Sequence, residues 1–294
     1  MCTFCHEHGR GDKWYYNLEN FLFKKVFPTP EEQEIVKKRR IEEMAEIEWR
    51  ERHPNVVKDT KYQLDRSKTY RAQVLTLDEV FKVLSVAEEA VKREDSFIMA
   101  GRCACALQSK AKFEYRCIFF GAPILWSASV GYGRYPQTGL TEFGGADWRE
   151  LKREVRKGLK APLKIEEAKE LFIEWDKKGL VHDVVCRGLF PLIDGFCNCE
   201  RPICGRMRNR ETHQAIDQLR KGHFVARVNP EKCTSCGTCM DRCQFGAIYV
   251  SKWSEATSIE SLKCFGCGLC ATGCPNDAIQ MVERDHVPIV VNEY

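Results

Sequence analysis

The residues best suited to chemistry in this chain are its seventeen cysteines. Eight of them form two groups of four near the C-terminus. Both groups have the spacing C-x2-C-x2-C-x3-C, and the second begins 31 residues after the first. Thiolates bind soft and borderline metals, and one tight loop can present three of them at this spacing. The pattern therefore predicts metal binding at Cys233, Cys236, Cys239, Cys243, Cys264, Cys267, Cys270 and Cys274.

The two groups belong to an internal repeat. CTSCGTCMDRCQFGAI and CFGCGLCATGCPNDAI share every cysteine, the glycine after the second cysteine and a final Ala-Ile that begins a predicted strand. This repeat resembles the bacterial ferredoxins with two [4Fe-4S] clusters. The resemblance implies that the fourth cysteine of each group binds the other cluster. One cluster would then use Cys233, Cys236, Cys239 and Cys274, and the second Cys264, Cys267, Cys270 and Cys243.

The cluster loops carry further signals. Gly237, Gly266 and Gly268 are expected to adopt positive φ and to keep the backbone close to the inorganic sulfurs. Gln244 follows Cys243 where the ferredoxins usually have proline, which leaves an additional backbone N–H near a cluster. The alternative of zinc at these eight cysteines is disfavoured, because zinc sites use pairs of C-x2-C knuckles.

Six cysteines farther upstream suggest a third centre. Two C-x-C pairs each follow an apolar, strand-like run, and each pair has a third cysteine nearby. Either one [4Fe-4S] or zinc centre takes four of the six, or two centres recruit additional ligands, or the thiols are small core residues. Cys186 stands alone in such a run and is interpreted as a core residue. The six candidates are Cys103, Cys105, Cys117, Cys197, Cys199 and Cys204.

The N-terminus offers Cys2, Cys5, His6 and His8 within seven residues. C-x2-C-H is also the attachment pattern of c-type haem, but haem attachment occurs outside the cytoplasm and no export signal precedes it. A zinc knuckle, a ligand set for a further cluster, or no metal at all are the remaining interpretations. His182, which follows a predicted helix end, is a candidate ligand, a hydrogen-bond donor to a cluster, or a core histidine.

The whole chain also resembles a family of cytoplasmic ferredoxin-like proteins of anaerobic bacteria and archaea. Its members begin M-C-x-F-C-H-x-H-G-x-G-x-K-W-Y, continue with C-x-C, G-L-V-H and C-N-C motifs, and end in a dicluster domain. These elements fall here at residues 2–15, 103–117, 179–182, 197–204 and 233–274. The resemblance implies redox work and upstream metal sites, and it names no substrate.

Periodic apolar positions predict the elements that hold these motifs. Capping boxes begin helices at Thr29 and Thr76, and a third helix covers about 165–178. The first helix has a predicted apolar stripe of Ile41, Met44, Ala45 and Trp49, and the third is expected to face the core through Ile165, Ala168, Phe172 and Trp175. A Gly-rich and aromatic loop at 121–145 either covers a cofactor or lies plainly on the surface. The predicted class is α+β: an N-terminal knuckle, charged helix and linker (1–71), an α+β metal-binding domain (72–222) and a (βαβ)2 dicluster ferredoxin domain (223–294).

Composition limits the classes of function. The chain is 44% hydrophobic and 30% charged with a net charge of +4, and it has no apolar run long enough for a membrane span or a signal peptide. A cytoplasmic location is therefore expected. There is no nucleic-acid motif, and no G-x-G-x-x-G after a strand to suggest flavin or NAD. The basic segment 201–221 would dock an acidic redox partner, bind an anionic substrate or form a solvated face.

These signals predict an electron-carrying subunit of a cytoplasmic redox enzyme complex rather than a free-standing enzyme. Electrons would pass through two [4Fe-4S] clusters and at least one upstream metal centre. The alternative is a redox enzyme whose catalytic site lies at an upstream centre near Cys103, Cys105, Cys197 and Cys199. A third possibility is a structural zinc module at the N-terminus that anchors a partner.

Overall fold

The computed structural model describes residues 2–35, 38, 70–94, 97–102, 115–121, 163–187, 191–201, 203–212, 218–252 and 256–294. Cys103 and Cys105, the predicted linker, and the Gly-rich loop beyond Gly121 lie outside these residues. Of Cys117 only the backbone is described. None of the described helices is long and apolar enough to cross a membrane.

The N-terminal segment folds into short helical turns. Helix α1 is Thr3–His8 and α2 is Phe23–Val26, with 3-10 turns at Trp14–Tyr16 and Leu18–Phe21 between them. The capping box predicted at Thr29 is confirmed: the backbone N–H of Glu32 donates to Thr29 Oγ1 at 3.2 Å, and that of Thr29 donates to Glu32 Oε2 at 2.9 Å. The apolar stripe predicted farther along that helix lies outside the described part of the chain.

Six strands form the central sheet in the order β2-β3-β5-β4-β1-β6. All neighbours are antiparallel except β1 and β6. Successive side chains of a strand point to opposite faces, and apolar side chains on the two faces of the sheet are buried in two different clusters. The strands are β1 Tyr70–Leu75, β2 Phe97–Arg102, β3 Tyr115–Gly121, β4 Val181–Arg187, β5 Ile193–Cys199 and β6 Leu219–Arg220.

Two long helices cover one face of this sheet. Helix α3 (Leu77–Glu94) begins at the predicted capping box, where the Glu79 N–H donates to Thr76 Oγ1 at 3.2 Å. Helix α4 (Ile165–Lys177) buries all four of the residues predicted to face the core, Ile165, Ala168, Phe172 and Trp175. Cys2, Phe4, Cys5, Trp14 and Tyr15 of the N-terminal segment belong to the same apolar cluster. This core is therefore built from both sides of the predicted boundary at 71/72, which stays a prediction.

The other face of the sheet meets the C-terminal region. Ala72, Val74, Val181 and Val185 form a second apolar cluster with Leu269, which lies between two of the predicted cluster ligands, Cys267 and Cys270. Helix α5 (Gly205–Thr212) contributes Met207 to the same cluster. The sheet thus packs directly against one of the predicted iron–sulfur sites.

The C-terminal region repeats one β-α-β unit. The first strand of this region, β7, pairs antiparallel with the last, β10. The two middle strands, β8 and β9, also pair antiparallel. Together with the central sheet and its helices, this arrangement confirms the predicted α+β class. The elements are β7 Phe224–Val228, α6 Thr238–Arg242, β8 Ile248–Val250, β9 Thr257–Ile259, α7 Leu269–Thr272 and β10 Ile279–Glu283.

Candidate metal centres

Two cavities in the C-terminal region are each lined by four cysteines. One, here called the outer site, has about 310 Å³ of empty space and contains Cys233, Cys236, Cys239 and Cys274. The other, the inner site, has about 350 Å³ and contains Cys243, Cys264, Cys267 and Cys270. Each cavity combines three cysteines of one repeat with the fourth cysteine of the other. This grouping is the one that the ferredoxin resemblance implies, and it fits four-thiolate ligation of a cluster in each cavity.

The repeat is visible in the backbone around both sites. Ala247 N–H donates to Cys243 Sγ at 3.3 Å, and Ala278 N–H donates to Cys274 Sγ at 3.3 Å. Hydrogen bonds of this kind stabilise thiolate charge and influence cluster potential. The alanine of the repeated Ala-Ile pair therefore has a role at the sulfur of the crossover cysteine.

Left-handed backbone conformations occur at equivalent places in the two loops. Gly237 and Gly268 have φ of +83° and +79°, and Gly266 has +76°, as predicted for the three glycines. The residue equivalent to Gly266 in the first repeat is Ser235, which adopts φ +54°. The loop conformation is thus kept in the first repeat without a glycine at that position.

The two sites differ in their contact with water. At the outer site Cys236 is exposed, and a hydrogen bond with the Thr238 hydroxyl lowers its pKa. At the inner site Cys270 is buried, and burial followed by the nearby Cys264 sulfur raises its pKa to about 12. Thiolates in the inner site therefore need more compensation from surrounding dipoles and charges than those in the outer site.

A buried arginine supplies part of that compensation. Arg284 has no measurable exposure, and its Nη2 donates to the carbonyl oxygens of Cys264 at 2.9 Å and Phe224 at 3.0 Å. Its Nε donates to Gly222 O at 2.9 Å, while its buried Nη1 has no hydrogen-bond partner among the described residues. Burial lowers the pKa of Arg284. This guanidinium is therefore a positive charge held by carbonyl groups beside an inner-site cysteine.

The N-terminal cysteines form a third group with a histidine from far along the chain. Cys2 and Cys5 lie with their Sγ atoms 3.0 Å apart, and His223 Nε2 is 3.2 Å from Cys5 Sγ. All three side chains are buried, with exposures of 3%, 0% and 5%. Their ligand atoms lie within 4.8 Å of one another, and they are the only such group among the described His, Cys, Asp and Glu residues.

A polar network continues from the other side of His223. Its Nδ1 lies 2.7 Å from the Tyr15 hydroxyl, which lies 2.7 Å from Glu79 Oε1. Lys13 Nζ forms an ion pair with the same carboxylate oxygen at 2.9 Å. Burial, followed by the charge of Glu79, raises the pKa of Tyr15 well above its ordinary value. The phenol therefore stays protonated and can donate only one hydrogen bond.

The two cysteine sulfurs lie within hydrogen-bonding distance of each other. This contact lowers the pKa of Cys2 and raises the pKa of Cys5. The backbone N–H of Cys5 also donates to Cys2 Sγ at 3.3 Å. These contacts hold the two sulfurs side by side at the beginning of α1.

The other histidines predicted as possible ligands lie elsewhere. His6 is exposed, and His8 packs its ring edge-on against Phe4. His182 is fully buried on β4, where its Nδ1 lies 2.6 Å from Asn198 Oδ1 and its ring packs against Phe172. None of the three joins Cys2 and Cys5. His223 is not among the residues predicted from the sequence, since no local spacing connects it to residues more than two hundred positions earlier.

The upstream C-x-C cysteines are only partly described. Cys117 on β3 pairs in register with Cys197 on β5. Cys199 and Cys204 are buried in the cluster that contains Leu269, and Cys197 and the inner-site residue Cys267 pack against it. Cys186 is buried on the opposite face of the sheet, in the core cluster. Ligation by the six upstream cysteines stays a prediction.

Two of the six basic residues in segment 201–221 are buried rather than available for docking. Arg206 pairs with Asp183 at 2.8 Å in the interior, and Lys221 Nζ donates to Leu262 O at 2.8 Å. Arg208 is exposed, and Arg201 pairs with Glu211 at the surface. Any docking role for the segment therefore depends on the four arginines other than Arg206.

Comparison with known proteins identifies the C-terminal region. A family model described as a 4Fe-4S dicluster domain matches residues 226–281, which include both cysteine-lined cavities. No curated protein matches the chain. The cysteine-lined cavities and this match together support an iron–sulfur electron-transfer role, and residues 226–281 constitute a 4Fe-4S dicluster ferredoxin domain.

Proposed function

We propose that this chain is the electron-carrying subunit of a redox enzyme complex and uses two [4Fe-4S] clusters and at least one upstream metal centre. The observation that carries the proposal is the sorting of eight cysteines into two cavities, four to each. A bound [4Fe-4S] cluster supplies one-electron redox chemistry, with a potential that depends on hydrogen bonds, charge and solvent exposure. The chain's own residues set those three conditions differently at the two sites.

The outer site is suited to exchange with a partner protein. Its loop is exposed from Glu231 to Cys236, apart from a half-buried Cys233. A partner surface can therefore approach the outer site without displacing folded structure. Electron transfer falls steeply with distance, so the exposed end of the domain is the expected port for exchange.

The inner site faces the rest of the chain. Leu269, between two inner-site cysteines, is completely buried against the central sheet, and the Arg242 Nε donates to its carbonyl oxygen at 2.7 Å. The Gly222 N–H donates to Phe265 O at 2.8 Å in the same loop. These contacts hold the inner-site loop against the α+β domain.

The position of the upstream cysteines supports a route beyond the inner site. Cys199 and Cys204 share an apolar cluster with Leu269, and Cys267 packs against this cluster. A centre built from these two cysteines and others of Cys103, Cys105, Cys117 and Cys197 would adjoin the inner site. We propose that electrons pass between the outer site, the inner site and this upstream centre.

Metal analysis of the anaerobically purified full chain tests this proposal. We expect more than eight irons per chain, and about twelve if the upstream centre is a [4Fe-4S] cluster. The double substitution Cys199→Ser and Cys204→Ser should remove the excess iron and leave about eight, with the reduced-state EPR signals of two clusters. Cys186→Ser is the matched control, because Cys186 is a buried cysteine on the opposite face of the sheet. This variant should retain all the iron.

Each other outcome has a definite meaning. Eight irons in the wild-type protein would contradict a redox-active upstream cluster and reduce the chain to a two-cluster carrier. Fewer than eight irons in fully reconstituted protein would contradict the assignment of a cluster to each cavity. Loss of all iron in Cys236→Ser alone would contradict independent outer and inner sites.

A further inference from the structure

We propose that Cys2, Cys5 and His223 form a mononuclear zinc site that fastens the N-terminal segment to the dicluster domain. The group shares no residue with the two cluster cavities or with the upstream C-x-C motifs. The inference does not depend on the electron-transfer proposal, because it uses none of the cluster ligands.

Three ligand atoms of suitable chemistry converge in this group. Two sulfurs and the His223 Nε2 lie within 4.8 Å of one another, although His223 follows Cys5 by 218 residues. Zinc binds thiolate sulfur and imidazole nitrogen in tetrahedral sites, and a C-x2-C knuckle is a frequent source of two of its ligands. The three residues leave one position of a tetrahedral ion for a further ligand.

The hydrogen bonds around His223 fix which of its nitrogens is available. Glu79 accepts hydrogen bonds from Lys13 Nζ, from the Thr76 N–H and from the Tyr15 hydroxyl. Because the single hydroxyl proton of Tyr15 is given to Glu79, its oxygen accepts the proton on His223 Nδ1. His223 Nε2 then carries the lone pair that faces Cys5. Histidines that bind metals are held by such a hydrogen bond at the other ring nitrogen.

The burial of Cys2 and Cys5 favours a role in metal binding over a role in thiol–disulfide exchange. Cys5 has no exposure and Cys2 only 3%, so an external thiol cannot reach either sulfur without local unfolding. Catalytic and redox-sensing cysteines are typically accessible. A buried pair of sulfurs next to an imidazole lone pair is instead a ligand set of the kind that zinc binds.

The position of the site gives a bound metal the role of a cross-link between distant segments. His223 directly precedes β7, and its carbonyl oxygen accepts the Arg284 N–H at 2.7 Å. A metal ion held by Cys2, Cys5 and His223 would join the first turn of the chain to the first strand of the dicluster domain. Cross-links that close long loops stabilise the folded chain by reducing the entropy of the unfolded one.

The test is zinc content and coordination in the full chain purified without oxygen. We expect about one zinc per chain, with X-ray absorption showing two sulfurs at about 2.3 Å and nitrogen at about 2.0 Å. Cys5→Ser and His223→Gln should each lower zinc below a tenth of an ion per chain. Iron and EPR signals should remain, because the cluster cysteines are unchanged; iron therefore reports on the electron-transfer proposal separately.

Two further variants separate ligation from folding. His6→Ala changes an exposed histidine in the same motif and should keep its zinc. Tyr15→Phe keeps all three ligands and the ring packing but removes the partner of Nδ1, so zinc affinity measured by chelator competition should fall about 10- to 100-fold.

Several results would overturn the proposal. These are a wild-type chain without zinc after zinc-replete growth, zinc retained in Cys5→Ser, and iron in place of zinc in the Cys2–Cys5–His223 environment. A mass lower by two hydrogens from a Cys2–Cys5 disulfide in the anaerobic protein would also reject it. An unchanged zinc affinity in Tyr15→Phe would reject the role of the hydrogen-bond chain.

Discussion

Gly266 lies against the carbonyl oxygen of Phe224 so closely that a β-carbon there would come within 2.2 Å of it. The contact joins the inner-site loop to β7. Gly237, in the outer-site loop, has a similar φ of +83°, but a β-carbon there would meet no atom within 4 Å. Both glycines therefore need a left-handed backbone conformation, but only Gly266 also lacks space for a side chain.

This difference predicts unequal effects of the same substitution. Gly237→Ala should lower the free energy of unfolding by about 1–2 kcal/mol, which is the cost of a left-handed alanine. Gly266→Ala carries that cost and about 1–3 kcal/mol more for the clash with the backbone. Denaturant unfolding of the anaerobic protein measures both losses of stability. Iron content should fall more in Gly266→Ala than in Gly237→Ala. Equal losses in the two variants would contradict the steric role of Gly266.

Repeats and short-range patterns made much of this fold predictable. The capping boxes at Thr29 and Thr76 and the core face of α4 depend on residues within one or two helical turns. The duplicated cysteine spacing predicted the two-fold ferredoxin unit in the same way. Such features are encoded by neighbours in sequence, and the folded chain keeps them.

Contacts between distant segments could not be predicted in this way. His223 approaches Cys5 only because the sheet and α3 bring the N-terminal segment to the start of β7. Gln244 is a second example. The additional N–H that it places near a cluster in the position of a proline stays a prediction, and the structure also shows side-chain contacts that the sequence did not predict.

Gln244 is expected to hold the two regions together. Its Nε2 donates to Gly179 O at 3.1 Å, and its Oε1 accepts the Arg201 N–H at 3.1 Å. Gln244→Ala removes both bonds and should lower the free energy of unfolding by about 1–2 kcal/mol. Hydrogen exchange of the Arg201 amide should become faster.

Asn276→Ala is the control for this experiment, because Asn276 donates to Thr234 within the dicluster domain. It should leave exchange at Arg201 unchanged. If Gln244→Ala also left that exchange unchanged, the bridging role of Gln244 would be refuted.

Tyr15 should make stability depend on alkaline pH. Burial raises its pKa in the folded protein well above 10, its value in an unfolded chain. Below pH 10 the phenol is protonated in both the folded and the unfolded state, and Tyr15 makes its full contribution to the free energy of unfolding. Above pH 10 the unfolded chain ionises first, so the folded state loses up to about 1.4 kcal/mol per pH unit from this residue.

Urea unfolding between pH 8 and 11 checks this prediction. Tyr15→Phe should show a shallower decline above pH 10 than the wild-type protein, even if it is less stable at pH 8. Tyr249→Phe, which removes an exposed phenol, serves as the comparison. Parallel curves for the wild-type protein and Tyr15→Phe would show that Tyr15 does not titrate on unfolding.

Arg284 should raise the reduction potential of the inner site. Reduction adds one negative charge to a bound cluster, and Arg284 holds a buried positive charge at the carbonyl oxygen of Cys264, a proposed ligand of the inner site. The described ion pairs include none with Arg284, although the carboxylates of Glu293 and Asp285 interact with its charge from a greater distance. In a buried setting such a charge acts with little screening.

Arg284→Gln should therefore lower the midpoint potential of the inner site by roughly 60 mV, which corresponds to about 1.4 kcal/mol for one electron. Arg284→Lys retains the positive charge and should shift the midpoint potential less. Arg227→Gln removes an exposed arginine on β7 and should leave it unchanged. EPR-monitored redox titration separates the two clusters. An unchanged or raised potential in Arg284→Gln, in protein with full iron content, would show that the carbonyl-bound guanidinium does not favour the reduced state.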